Sequence, residues 1–389
     1  MVSPRPIYLA SILCAGFLFL SACEDPSAVG LDLVDTEGGV PQLQRVAFDR
    51  LETTSGDGLV DNATTLQSGF VDDPIVGSIE ATGYIDFLEN LVLPPAYKNG
   101  TLTGLLLRLE LATVYGDSSS PVTFALHEVL SEFKSSGNEQ DDVPAVGLEI
   151  VQFTVDPDDD AILVTLPESF YAGRDTTFRS IFFGTSFHGF QVRPVSGAAV
   201  IGLFNSVTSE SNLRGIVGAD TVTFLATKGL TAYTRPTPAT PPPGVTILQQ
   251  GLGPNLAFDF DLDAFEQSSV NRAAFQVTLD TLVFENDPPA FVRPPLSNMA
   301  LHGVLADSTS IILALGTLRS NGVTLDFDSA SFREALQSVL LGAPAFDHYE
   351  IRFLSASGNN LSSLVFRDTT SAETPPSLYL TTTPLNQGN

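Results

Sequence analysis

Apolar residues recur at every second position along much of this chain. The alternation is plain in Val122-Thr-Phe124-Ala-Leu126, Val151-Gln-Phe153-Thr-Val155, Phe275-Gln-Val277-Thr-Leu279 and Val323-Thr-Leu325-Asp-Phe327. Successive side chains of a strand point to opposite faces, so this spacing buries one face and wets the other. Short runs of this kind, separated by Gly, Pro and Asp turns, predict an all-β chain of β-sandwich or jelly-roll type. One short helix stands out, Ser331 to Leu341. Ser331 and Glu334 are spaced as a capping box, and Gly342 is its stop.

Two breakers divide the pattern. Glu24 to Gln44 carries five acids, no base and the pair Gly38-Gly39, the composition of a flexible tether. Arg235 to Gly244 holds five prolines in ten residues, which predicts a polyproline II linker. Residues 45–234 and 245–384 are therefore the expected domains, after a leader over 1–22 and a tether over 23–44. The two halves also match one another. Ala125-Leu126-His127-Glu128-Val129-Leu130 agrees with Ala300-Leu301-His302-Gly303-Val304-Leu305 in five of six positions. In each half an apolar strand precedes this segment. An apparent hairpin follows it, turning through Asp156–Asp160 in the first half and Asn321-Gly322 in the second. Phe190-Gln-Val192-Arg193 answers Tyr349-Glu-Ile351-Arg352, and apolar strands at Val222–Ala226 and Leu378–Leu380 close the halves. Four matches in one order predict a duplicated β domain with a core in each copy, Leu126 and Leu301 inward, His127 and His302 outward.

The N-terminus carries an address. Arg5 is the sole charge of a short n-region, and Ile7 to Leu20 is an apolar run of fourteen residues, short of the ~20 that span a bilayer. Leu20-Ser21-Ala22-Cys23 then resembles a bacterial lipobox. The resemblance implies cleavage before Cys23, diacylglyceryl attachment to its sulfur, and an exported protein held by its lipid in the cell envelope. The outer membrane is the expected site. Cys14 leaves with the leader, so no intramolecular disulfide is expected and stability must come from apolar burial.

Charge narrows the partners. After the leader the chain holds 45 acidic and 17 basic side chains, a net −28, and its only lysines are Lys98, Lys134 and Lys228. Such a field repels nucleic acid. Two readings fit it: adaptation to high salt, where repulsion is screened, or attraction of a cationic partner or calcium. Acid spread along the whole chain favours the first.

Candidate chemistry is thin. The four histidines, His127, His188, His302 and His348, are expected at ordinary surface positions, since the duplication places His127 and His302 in different domains. No nucleophile elbow, zinc-protease helix or glycine-rich phosphate loop occurs, so no catalytic residue is assigned. Asp156, Asp158, Asp159 and Asp160 on a turn, and Asp259, Asp261 and Asp263 on one strand face, are the candidates for calcium; hydrated surface is the plainer reading. No other cofactor is expected. A sugar platform would draw on Tyr97, Tyr115, Tyr171 or Tyr233, because the chain has no tryptophan.

Several segments resemble a known family. Val29-Gly30-Leu31-Asp32 after the lipobox, Gly69-Phe-Val-Asp72-Asp73-Pro74-Ile-Val-Gly77 followed by Ala81, Leu105 to Leu111 with Tyr115-Gly116-Asp117 and Pro121, and Phe187-His-Gly189-Phe190-Gln-Val192 are similar to lipoproteins catalogued as domain of unknown function 4270. The resemblance implies an exported, lipid-anchored β protein with no assigned activity. The expected role is a non-enzymatic structural or interaction module with an envelope protein or polysaccharide as partner. The alternative is a glycan-binding or glycan-processing surface protein.

The charge yields a first prediction. Screening relieves repulsion within a −28 chain, so the melting temperature should climb as NaCl goes from low to molar concentration. A flat or falling melting curve removes the high-salt reading. Stabilisation by millimolar calcium, unmatched by NaCl of equal ionic strength, would restore the aspartate clusters as metal sites.

Overall fold

The computed structural model describes residues 41–46, 48–53, 59–61, 64–134, 142–238, 241–252, 255–266, 268–354, 361–367 and 375–384. The leader and Cys23 lie outside these residues. In chain order the strands are β1 Gln42–Val46, β2 Phe48–Thr53, β3 Leu59–Asp61, β4 Thr65–Asp73, β5 Gly77–Phe87, β6 Gly104–Asp117, β7 Val122–Val129 and β8 Val146–Val155. They continue with β9 Ala161–Thr165, β10 Phe190–Ser196, β11 Ala199–Phe204, β12 Asn212–Val217, β13 Asp220–Pro238, β14 Val245–Gln249, β15 Leu256–Phe260 and β16 Ser268–Thr278. The last are β17 Phe291–Val292, β18 Met299–Val304, β19 Ser310–Leu318, β20 Thr324–Asp328, β21 His348–Phe353, β22 Ser363–Arg367 and β23 Ser377–Pro384. Every pairing among them is antiparallel, and the architecture is all-β and sandwich-like.

Period-two alternation buries the faces it predicts. Val122, Phe124 and Leu126 of β7 are fully buried in one core, and Ala273, Phe275 and Val277 of β16 in another. The helix spans Ala330–Leu340, with Phe332 and Leu336 on the second core. Its cap is Ser329, not Ser331: the Ser329 hydroxyl accepts from the Phe332 N–H at 3.0 Å and donates to the Leu313 carbonyl at 2.5 Å. Starting earlier lets one hydroxyl join the helix N-terminus to β19, which no local spacing encodes. Single turns at Pro95–Asn99, Glu168–Tyr171 and Asp175–Phe178 add short helical pieces to the one expected.

The duplication reaches down to register. In the first copy one layer runs β13–β12–β6–β9 and the other β13–β5–β10–β7–β8; in the second the layers are β1–β23–β16–β20 and β2–β15–β21–β18–β19. Leu126 stands opposite Val192 and His127 opposite Gln191, as Leu301 stands opposite Ile351 and His302 opposite Glu350. A register shift falls between Leu126 and His127 against β8, and between Leu301 and His302 against β19. Both leucines are fully buried, as the alternation requires.

Three expectations change. First, the second copy is completed from the wrong end of the chain. Gln42–Val46 pairs with β23 and Phe48–Thr53 with β15, where β13 alone serves the first copy. Each segment skips one residue just after it changes layer, Asp49 opposite β15 and Thr227 opposite β5. The boundaries 45–234 and 23–44 are thus corrected: residues 42–53 belong with 245–384, and the first sandwich is an insertion between them. Open strand edges at β23 and β15 supply the reason, because any strand that satisfies their N–H and C=O groups can close the sheet. Second, Arg235–Pro238 is the end of β13, not linker; it pairs with β5 through Thr237–Ser78 and Pro238–Gly77 beside a bulge. Proline is tolerated there because only one side of the strand is paired. Third, β8 and β9 form no hairpin. Pro157 is buried, the turn crosses between layers, and β9 pairs with β6. The first copy also ends differently, since β12 rather than Val222–Ala226 takes the place of Leu378–Leu380.

A fragment of residues 245–384 should therefore fail to unfold cooperatively. Gln42 faces Thr382, so joining residues 41–53 behind residue 384 through a short loop copies the β12–β13 connection. That permuted chain is expected to show a sigmoidal urea transition by circular dichroism. Equal cooperativity without residues 41–53 would contradict the assignment of this strand.

Candidate functional site

Among the described residues, polar chemistry gathers at the seam between the sandwiches and in a groove on the first, among other places. At the seam the Asp73 side chain is completely buried at the end of β4. Its carboxylate accepts from the N–H groups of Ile75 and Val76 at 2.7 and 2.8 Å, and from the Tyr115 hydroxyl at 2.5 Å. Arg293, from the other sandwich, donates to both of its oxygens at 2.5 and 3.2 Å. The same guanidinium donates to Asp287 at 2.6 and 2.9 Å and lies over Phe284 and Phe291, 4.4 and 4.9 Å from their centroids. Burial works against the Arg293 charge, but Asp287 and Asp73 more than offset it and hold its pKa above the ordinary value. Burial, reinforced by Asp73, likewise raises Tyr115, so its hydroxyl stays a donor.

Backbone and apolar contacts continue the seam. Phe291 and Val292 pair with Asp117 and Gly116 as an added strand on β6, and Tyr115 meets Phe291 edge-on at 5.9 Å. Gly116 has φ +116°, and a Cβ there would stand 2.4 Å from the Ala198 carbonyl, so the close strand approach requires glycine. Leu361, Leu252 and Phe291 of the second sandwich pack on Val71, Tyr115, Val200 and Tyr233 of the first. A cavity of about 210 Å³ lies beside Arg293, walled by Leu279, Phe284, Leu296 and Val365.

The groove, about 300 Å³, opens between β8 and the Glu168–Tyr171 turn. Glu128 and Glu149 line it with Leu148, Ile150, Pro167 and Phe170. Arg174 donates to Glu128 at 2.6 Å and stacks on Phe170 at 4.8 Å, while Glu149 accepts only from Gln152 among the bonds described. Sequence reasoning passed over all of these residues. The signal available to it was Leu148, an apolar side chain beside an acid on an alternating strand.

The residues singled out from sequence are dispersed. Asp156, Asp158, Asp159 and Asp160 sit exposed on the β8–β9 crossing, where Asp159 closes the turn by accepting from the Asp156 N–H at 3.3 Å. Asp259 is half-buried in β15; Asp261 and Asp263 are exposed just after it. Among the described residues no three His, Cys, Asp or Glu side chains converge as a metal ion needs. Tyr97, Tyr115 and Tyr233 are buried rather than displayed. Burial pushes the Tyr97 hydroxyl up to about 12, and it donates to the Phe178 carbonyl at 3.2 Å. Tyr171 is half-buried and bonded to the Thr103 carbonyl, so the four tyrosines form no shared platform.

The histidines differ from plain surface groups. Each is half-buried. His127 Nδ1 lies 3.1 Å from the Gly147 carbonyl, whereas His302 Nδ1 is buried without a hydrogen-bond partner. Burial, aided by the nearby Arg352 charge, lowers the His302 pKa. His348 bridges Asp347 and Glu350 at 2.9 Å on each side; burial opposes its charge, but these carboxylates outweigh it and raise its pKa.

No family model matches the chain, and no curated protein matches it. Two solved structures are similar over much of its length. One, from Parabacteroides distasonis and provisionally described as a secreted protein, is 10% identical, covers 89% of this chain and 100% of its own, and superposes with a TM-score of 0.22. The N-terminal CBM22-1–CBM22-2 tandem of Paenibacillus barcinonensis Xyn10C is 8% identical over 89% of this chain and 94% of its own, with a TM-score of 0.17.

Replacing Arg293 with methionine leaves Asp73 buried without its cation. Breaking a buried pair from one side costs about 3–5 kcal/mol. The variant is expected to unfold in two urea transitions, one per sandwich, where the wild type shows one. A single transition shifted by less than about 1 kcal/mol would deny the pair its coupling role.

Proposed function

We propose that the protein is a lipid-anchored module of the bacterial cell envelope that acts by structure and interaction rather than catalysis. The observation that carries this reading is the path of residues 42–53. Among the described residues the first strands after the lipobox cysteine pair with both layers of the second sandwich, so pull on the anchor is borne by ladders to β23 and β15. Shear across many backbone hydrogen bonds resists better than a flexible junction. The Asp73–Arg293 seam then ties the first sandwich to the anchored one as a fixed extension. This arrangement suits display of a surface. It agrees with the loose sequence resemblance to the lipoproteins of domain of unknown function 4270, in which export and anchoring are the expected properties.

Anchoring rests on Cys23, since two or three acyl chains hold a protein that one holds only marginally. Cells fed a labelled fatty acid are expected to label the wild-type protein and to leave Cys23→Ser unlabelled, with the variant either uncleaved in the inner membrane or released. Unlabelled wild type, or a labelled variant, overturns the reading.

A further inference from the structure

Among the described residues, the first sandwich leaves one side of β8 unpaired by any strand, while the other side pairs with β7. The equivalent strand of the second sandwich is shielded in part: Gly316–Leu318 of β19 pairs with β20, which turns back through Asn321-Gly322. In the first sandwich the chain leaves β8 by crossing to the other layer, and so exposes the edge. Natural edges of this length are blunted by charge, proline or bulges. Here the exposed stretch Val146-Gly-Leu-Glu-Ile150 has Leu148 91% exposed and Val146 36% exposed, beside the groove formed with Pro167 and Phe170.

Charge says what fits. From Asp142 to Ser169 the sequence carries seven acids and no base: Asp142, Glu149, Asp156, Asp158, Asp159, Asp160 and Glu168. A second copy would bring two such segments edge to edge and repel itself. The chain's own tether, with five acids and no base over 24–44, is repelled too. We propose that β8 receives an extended, basic segment of a partner protein as an added antiparallel or parallel strand, with an alternate apolar side chain in the groove against Leu148 and Ile150 and a lysine or arginine at Glu149. Main-chain bonds to the open edge supply affinity, and the groove with its carboxylate supplies selection. The matching edge of the second sandwich cannot make this choice, because register places Ile312 where Glu149 stands and Gly303 where Glu128 stands. The inference deepens the interaction reading and depends on it only for the role of the first sandwich as the displayed surface.

The test uses the full-length protein in detergent and a labelled nonapeptide, Lys-Val-Thr-Val-Lys-Val-Thr-Val-Lys, with its Glu-for-Lys counterpart as control. Binding of the basic peptide is expected by fluorescence anisotropy, together with slowed hydrogen exchange of the amides in residues 146–152. The pair Leu148→Lys and Glu149→Lys should weaken binding roughly tenfold or more while leaving the melting temperature in place, since both side chains are exposed. Ile312→Lys in the second sandwich should change nothing. Equal binding of the acidic peptide, unchanged binding by the double variant, or binding without protection of β8 amides each overturns the proposal. So does a concentration-dependent dimer that Leu148→Lys dissolves, which would assign the edge to a second copy. Failure here with fatty-acid labelling intact leaves the anchor reading standing, and the reverse result leaves the edge site standing.

Discussion

A carboxylate with no exposure to water is the constraint around which this molecule is assembled. Asp73 sits at the end of a strand in one sandwich, and two backbone N–H groups of its own turn with a tyrosine hydroxyl do not neutralise it. The compensating charge, Arg293, comes from more than two hundred residues away in the other sandwich. An ion this deeply buried is costly unless its partner is present with good geometry. The two sandwiches therefore cannot part without exposing or orphaning a charge. The apolar packing of Leu252, Phe291 and Leu361 on Val71, Val200 and Tyr233 makes the same contact close, but the charge pair makes it specific.

The duplicated fold is built with one strand taken from elsewhere. In the first copy β13 crosses both layers as the last element; in the second, residues 42–53 arrive from the N-terminus and cross the layers in the same sense, each with one residue skipped just after the crossing. This permutation makes the first sandwich an insertion in the second and leaves the chain with two crossings of the seam. It also explains why the second core includes Val46, more than two hundred residues from its other members in sequence. Cooperativity between the copies follows from connectivity as well as from the ion pair, because neither sandwich can be separated by a single cut at the proline run.

The two copies have diverged at the edge opposite this shared strand. β19 is partly capped by β20 and its Leu313 carbonyl accepts from the Ser329 cap of the helix Ala330–Leu340, whereas β8 ends in a buried proline and a crossing. A small change in how one connection turns thus decides whether an edge is spent inside the fold or left for a partner. The acidic side chains that line the open edge keep it from meeting its own kind.

The sequence by itself determined the class of fold, the duplication and most inward-facing positions, because alternation is a local property that any strand shows whatever its partner. Leu126, Phe275 and Phe327 were legible for that reason. So was the match of Phe190–Arg193 to Tyr349–Arg352, which lies in one register in both copies. Tertiary structure alone decided the domain boundaries, since the pattern of residues 42–53 states that they form a strand but not which open edge will accept them. It also decided the chemistry. Two loose turn motifs, around Asp73 and around Tyr115-Gly116-Asp117, stood apart in the sequence with nothing to relate them. They meet at Arg293, where burial turns an ordinary aspartate into the residue that joins the halves. The groove at Glu149 was hidden in the same way, because strand edges exist only once the neighbouring strands have chosen where to pair.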